Sequence, residues 1–311
     1  MKWNNIPALL FLVAGLSCIW VGCEEQKSET PTKGTVTVLV SESVQPVIEA
    51  EQQKFQDLYP QAHVNLVSMT AREAITHLFN DTTQLIVSSR PLNHEERNVA
   101  SRSNLKFAEY KIAVDGLAFL VNNLNTVKEL RTTQLDSIYS GLITQWKGVG
   151  GKMQPIIIAL PDQNSADFEV VSTKVLHGKR FTAPANPIKS SHEMLDFVSK
   201  IPGALGVVSI SWLGEKKENV QILDLMDPAA ADSLDIKGQY FAPLQAHLYR
   251  HFYPVTSDVY IYSKADNYGV AAGFTAFITS APGQKIVLNL GLVPATMPVR
   301  LVELTNKGEQ Q

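Results

Sequence analysis

Cysteine is nearly absent: the 311 residues hold two, Cys18 and Cys23, both within the first 23 positions. No disulfide, thiolate metal site or cysteine nucleophile can form in the remainder of the chain. An excess of positive charge is missing too. The formal net charge of −3 supplies no basic stripe for a phosphate backbone, so no nucleic-acid partner is expected. Neither a G-x-S-x-G nucleophile elbow nor a P-loop is written, Gly151-Lys152 being followed by Met153. His247 and His251 have the i, i+4 spacing of zinc ligands on a helix, but no third ligand stands nearby. Their neighbours Leu248, Tyr249, Phe252, Tyr253 and Pro254 read as the approach to a strand. Asp115 and Asp167 lack a paired carboxylate at a readable spacing, which makes an exported hydrolase the weakest reading. No metal, cofactor or catalytic residue is expected. What is present is 45% hydrophobic and 18% charged residues, enough for a sizeable core, in a length that suits about two domains of roughly 150 residues.

The N-terminus reads as an address. Lys2 is the only charge in Met1 to Gly22, and Ile6 to Trp20 is apolar or small apart from Ser17 and Cys18. That run is short for a membrane span, which takes about 20 residues. Gly22 stands directly before Cys23, and the polar stretch 24–34 follows. The arrangement resembles the lipobox of bacterial lipoproteins and implies a signal peptide over 1–22, acylation of Cys23 and a tether over 23–33. Cys18 after Ser17 is a second candidate for acylation, though it would leave Ile19 and Trp20 on the mature end; an uncleaved anchor helix is the other alternative, and either reading of the segment puts the folded part outside the cytoplasm. Cleavage removes Lys2 and takes the formal charge from −3 to −4.

From Gly34 onward, short β-branched runs alternate with amphipathic helical ones, the signature of α/β layers. Thr35 to Ser41 predicts a strand, and Val44, Val47, Ile48, Phe55 and Leu58 share one face of a helix that Pro60 ends. Thr70 with Glu73 predicts a capping box, and Ser190 or Ser191 a helix start. Ile112 to Asn122 reads as a long apolar strand interrupted by Asp115 and Gly116. Pro161 to Asp167 reads as a loop ahead of a helix from Phe168, and Val259 to Ser263 as a late strand.

Several stretches, in order, resemble one family, the phosphate-binding (PstS-like) lipoproteins of ABC transporters, in the divergent branch common in Bacteroidota. They are Ser41 to Glu51 (SESVQPVIEAE), Leu85 to Leu92 (LIVSSRPL), Gln134 to Gly151 (QLDSIYSGLITQWKGVGG), Pro202 to Ser209 (PGALGVVS) and Gly283 to Leu301 (GQKIVLNLGLVPATMPVRL). The resemblance implies a type II periplasmic-binding-protein fold: two α/β lobes joined by two crossing strands, with the ligand between them. Lobe one would comprise 34–117 and 259–304, lobe two 118–258, with a tail over 305–311. It also implies a lipid-anchored, monomeric, non-enzymatic protein of the periplasm or cell surface. Such a protein captures an oxyanion, phosphate first, and hands it to an ABC permease; the same scaffold used as a sensor or adhesion lipoprotein is the alternative.

Carried over position by position, the resemblance marks Ser43, Val44, Thr70, Ser89, Arg90, Asn164, Ser165 and Asp167 as ligand residues. Helix N-termini at Ser43, Thr70 and Ser165 each follow a strand, where free backbone N–H groups and hydroxyls suit an oxyanion; plain helix capping is the competing role for all three. The family's Ser-Asp pair is replaced by Ser88-Ser89. Its R-x-x-x-S-G-T loop becomes Pro161 to Asp167, without the arginine and the final hydroxyl. Arg90 is then expected to restore a positive donor, and Asp167 the missing carboxylate.

Overall fold

The computed structural model describes residues 29–230, 236–264 and 267–296. The leader 1–22, Cys23 and the tail 305–311 lie outside the described residues, as does most of the tether. Among the described residues the strands are β1 (Lys33–Ser41), β2 (Gln61–Met69), β3 (Leu85–Ser88), β4 (Phe107–Asn122), β5 (Glu129–Arg131), β6 (Ile157–Pro161), β7 (Ala185–Ile188), β8 (Ala204–Ser209), β9 (Val220–Ile222), β10 (Asp224–Met226), β11 (Thr256–Lys264) and β12 (Val293–Pro294). The helices are α1 (Gln45–Leu58), α2 (Ala71–Phe79), α3 (His94–Arg102), α4 (Thr132–Tyr139), α5 (Ala166–Lys174), α6 (Ser191–Lys200), α7 (Gln245–Tyr249), α8 (Gly269–Thr279) and α9 (Ala281–Asn289).

One strand organises the molecule. The sheet runs β2-β1-β3-β11-β4-β8-β6-β7, and β4 serves both ends of it. Its first part, Phe107 to Gly116, pairs antiparallel with β11, while Leu117 to Val121 pairs antiparallel with β8. The polar break that the sequence carries at Asp115 and Gly116 therefore marks the point where the chain leaves one half-sheet for the other. Gly116 is required there, because a Cβ would meet the Leu248 side chain at 3.0 Å. Parallel pairing on either side, β1 with β2 and β3 and β6 with β7 and β8, buries inner strands such as β3 and β8 on both faces, while the edge strands β2 and β7 stay partly exposed. The resemblance would put the return crossing near Asp258 to Ser263, and it lies earlier. All of β11 pairs within the first half-sheet, and the chain crosses just before it, where the Leu117 amide donates to the Val255 carbonyl at 3.0 Å.

Local chemistry accounts for the helices that matter. Pro46 lies in the first turn of α1, where a missing N–H is harmless. Thr70 and Glu73 form the expected capping box. Ser190 caps α6 through a bond from the Glu193 amide at 3.2 Å. Gly206 in β8 lets α6 lie close, since a Cβ there would sit 2.7 Å from Val198. His247 falls in α7 and His251 in the turn after it, with φ of 57°, instead of on the approach to a strand. His247 bonds the Ala242 carbonyl at 2.9 Å, and no cluster of metal-ligating side chains exists among the described residues.

Candidate ligand-binding site

The C-terminal ends of β1 and β6 and the start of α6 meet beside the middle of β4. They enclose a cavity of about 20 Å³, lined on its polar side by Glu42, Asp162, Ser165, Asp167, Lys189, Ser190 and Ser191. That is room for about one water molecule. Glu42 and Ser43 come from the turn after β1, in the first half-sheet; the other residues come from the second.

Three acidic side chains, Glu42, Asp162 and Asp167, line the cavity, and Asp115 in β4 lies close enough to feel the Asp167 charge. Asp167, 5% exposed, is pushed up to about 7 by burial; the Ser43 hydroxyl donates to it and pulls the other way, while the Glu42 charge pushes it further up. Asp115, 1% exposed in β4, is pushed up to about 8, chiefly by burial. The Ser209 hydroxyl and the amides of Gly116 and Ile210 oppose that rise, and the Asp167 charge adds to it. Its Oδ1 accepts from the Gly116 amide at 2.7 Å. Burial also raises Glu42, against the lowering effect of bonds from Ser191. Near neutral pH, Asp115 and Asp167 thus spend much of their time protonated, and a protonated carboxyl is a donor. The cluster is therefore no wall of negative charge.

The structure brings some of the expected residues together and separates others. Ser43, Ser165 and Asp167 meet. Ser165 caps α5, its Oγ accepting from the Phe168 amide at 3.2 Å, and the hydroxyl proton remains free to donate elsewhere. The helix starts two residues earlier than expected, so Asp167 sits in its first turn rather than in the loop. Val44 is fully buried in the apolar core beneath α1. Thr70 is committed to its cap: its hydroxyl donates to Glu73 Oε2 at 2.8 Å and accepts from the Glu73 amide at 3.3 Å. Ser89 is paired with Ser41, hydroxyl to hydroxyl at 2.7 Å. The backbone carbonyl of Asn164 accepts from the Arg72 amide at 3.3 Å, linking its loop to the first turn of α2 in the other half.

Arg90 departs furthest from expectation. It is neither a free donor nor a surface residue: at 2% exposure it forms a two-pronged pair with Glu96, both bonds 2.7 Å. Its Nε lies 2.8 Å from Glu169 Oε2 on α5, a charge contact without hydrogen-bond alignment. Two carboxylates neutralise it, and it lines a neighbouring groove of about 320 Å³ instead of the cavity. Sequence reasoning passed over Glu42, Ser191 and Asp115 as site residues. The signal for Asp115 was its place as the one charge in an apolar strand; Glu42 stood inside the SESVQP stretch without a partner in view.

The model of the PBP superfamily domain matches residues 25–282. The chain belongs to the PBP superfamily. Within the superfamily it is similar to the phosphate-binding protein PstS of Bacillus subtilis, 25% identical, with 95% of this chain and 96% of that protein covered. A PstS of Staphylococcus epidermidis is 23% identical over 81% of this chain and 76% of its own length. Among solved structures, a phosphate ABC transporter substrate-binding protein with bound phosphate from Clostridium perfringens superposes with a TM-score of 0.73 at 24% identity. It covers 85% of this chain and all of its own. An ABC-type phosphate transport receptor from Vibrio cholerae gives 0.64, also at 24% identity, over 84% of this chain. These superpositions show that the chain shares their fold.

Proposed function

We propose that this PBP-superfamily protein captures inorganic phosphate between its two half-sheets and delivers it to an ABC importer from outside the cytoplasm, anchored by a lipid on Cys23. The lobes are 34–116 with the stretch from Thr256 onward, and 117–255; they close on the ligand by bending at Asp115 to Leu117 and at the return crossing just before β11. The observation that carries the reading is the convergence of the α5 and α6 starts with the Ser43 turn on one buried cavity. First-turn amides, serine hydroxyls and the helix dipoles there all favour an oxyanion. The names and bound phosphate of the relatives support the choice of anion.

Asp167 is the residue that distinguishes phosphate from sulfate. In its ionised form, above about pH 7, Asp167 accepts the proton that phosphate keeps, whereas sulfate offers that carboxylate only lone pairs, an unpaired like-charge contact; its protonated form donates to either anion. Calorimetry of the purified protein against phosphate, arsenate, sulfate and molybdate tests the reading. Phosphate and arsenate should bind at least about tenfold tighter than sulfate, the scale of one charge-assisted hydrogen bond. Heat from none of the four at millimolar concentration contradicts it.

A further inference from the structure

Glu42 places a carboxylate where an entering oxyanion would seek its donors. Glu42 Oε1 accepts from the Ser191 backbone amide at 2.8 Å, and Oε2 accepts from the Ser191 hydroxyl at 3.0 Å. Ser191 opens α6 and is itself 5% exposed. The two residues lie 149 positions apart and on opposite half-sheets, so this contact bridges the cleft. The backbone that carries Glu42 is pinned from the far side as well. Trp212 Nε1 donates to the Glu42 carbonyl at 3.2 Å, and the Ser211 hydroxyl donates to the Ser43 carbonyl at 2.8 Å. With the main chain held, only the side-chain torsions of Glu42 remain free to move the carboxylate off Ser191.

We propose that Glu42 is an internal anion, holding the α6 donors until a ligand oxyanion displaces it and so setting the affinity and selectivity of the cleft. The proposal rests on the oxyanion reading above and deepens it. Two consequences follow from the geometry. The half-sheets are tied by the protein's own groups, with Arg90–Glu169 as a second tie, so ligand entry exchanges the Glu42–Ser191 bonds for bonds to the anion. An incoming anion competes with a carboxylate for one amide and one hydroxyl. An anion with higher charge and more acceptor oxygens wins that exchange, while a monovalent anion such as chloride does not.

The test compares the wild-type protein with Glu42→Gln, Glu42→Ala and Glu215→Gln. The last removes an exposed carboxylate that repels Glu42 without touching Ser191. Phosphate should bind about tenfold tighter to Glu42→Gln, as expected when a charge-assisted competitor is lost, and Glu215→Gln should shift affinity less than about threefold. Independently of any ligand, hydrogen exchange of the Ser191 amide, followed by NMR, should speed up at least about tenfold in Glu42→Ala. Equal affinities for wild type and Glu42→Gln, or a Glu215→Gln effect as large, overturn the proposal. So does unchanged Ser191 exchange. If none of the proteins binds phosphate, the phosphate reading falls, and Ser191 exchange alone then decides whether Glu42 holds α6.

Discussion

Replacing Glu51 by methionine should make the protein more stable, and increasingly so as pH rises. Glu51 shares a face of α1 with Val47, Ile48 and Phe55; it is 0% exposed, and neither carboxylate oxygen has a hydrogen-bond partner. Burial alone pushes it up to about 9 from an ordinary value of 4.5. The folded protein therefore holds a proton between those values that the unfolded chain releases. Stability is greatest below about 4.5 and falls as pH climbs toward about 9. The slope is about 1.4 kcal/mol per pH unit, so passing from pH 5 to 7.5 lowers stability by roughly 3 kcal/mol through this one group. Methionine fills a similar volume without a charge or an unpaired oxygen. Urea unfolding at pH 5 and 7.5 should show Glu51→Met ahead by about 2–4 kcal/mol at the higher pH, with a smaller gap at the lower. Asp115 and Asp167 titrate in both proteins and cancel in the difference. Parallel pH slopes, or a variant less stable at both values, refute the reasoning and mean that Glu51 is satisfied by a contact that burial and geometry do not reveal.

Arg90→Met should lower stability by about 3 kcal/mol in urea unfolding, because it strands Glu96 and Glu169 without their shared cation, yet leave phosphate affinity within threefold, since Arg90 does not line the cavity. Asp167→Thr should narrow the preference for phosphate over sulfate in calorimetry; an unchanged ratio with only a lower Tm makes the residue purely structural. In the wild type, the preference for phosphate over sulfate should widen as pH rises through about 7, where Asp167 changes from a donor to either anion into an acceptor that only phosphate satisfies, and that trend should flatten in Asp167→Thr. Labelling by a fatty-acid probe in cells should vanish in Cys23→Ser and persist in Cys18→Ser.

What the sequence made legible was local. The capping box at Thr70 and Glu73, the helix start at Ser190, and the break in β4 at Asp115-Gly116 all follow from short-range patterns of one or two turns, while the sequence reading puts the start of α5 two residues late. Three-residue strands such as β5, β9 and β10 carry too few positions for a period to register. The more consequential gap was in pairing across distance. Arg90 looked like a free donor because Glu169 stands far along the chain on another element, and nothing in the spacing says that the two meet. Glu42 and Ser191 were hidden for the same reason. Thr70 and Ser165 had the same two candidate roles, capping or ligand contact, and only the fold separates them: Thr70's hydroxyl is used up within its cap, while Ser165 also borders the cavity.

The central claim is that the oxyanion sits between the half-sheets at the starts of α5 and α6. Diffraction from crystals grown with arsenate, recorded near the arsenic edge, tests it most directly. The account predicts one strong anomalous peak within hydrogen-bond reach of the Ser165 hydroxyl and of the Ser191 amide, with the Glu42 carboxylate swung away from Ser191. A peak in the groove beside Arg90, or a peak at the cavity with Glu42 still bound to Ser191, would contradict it.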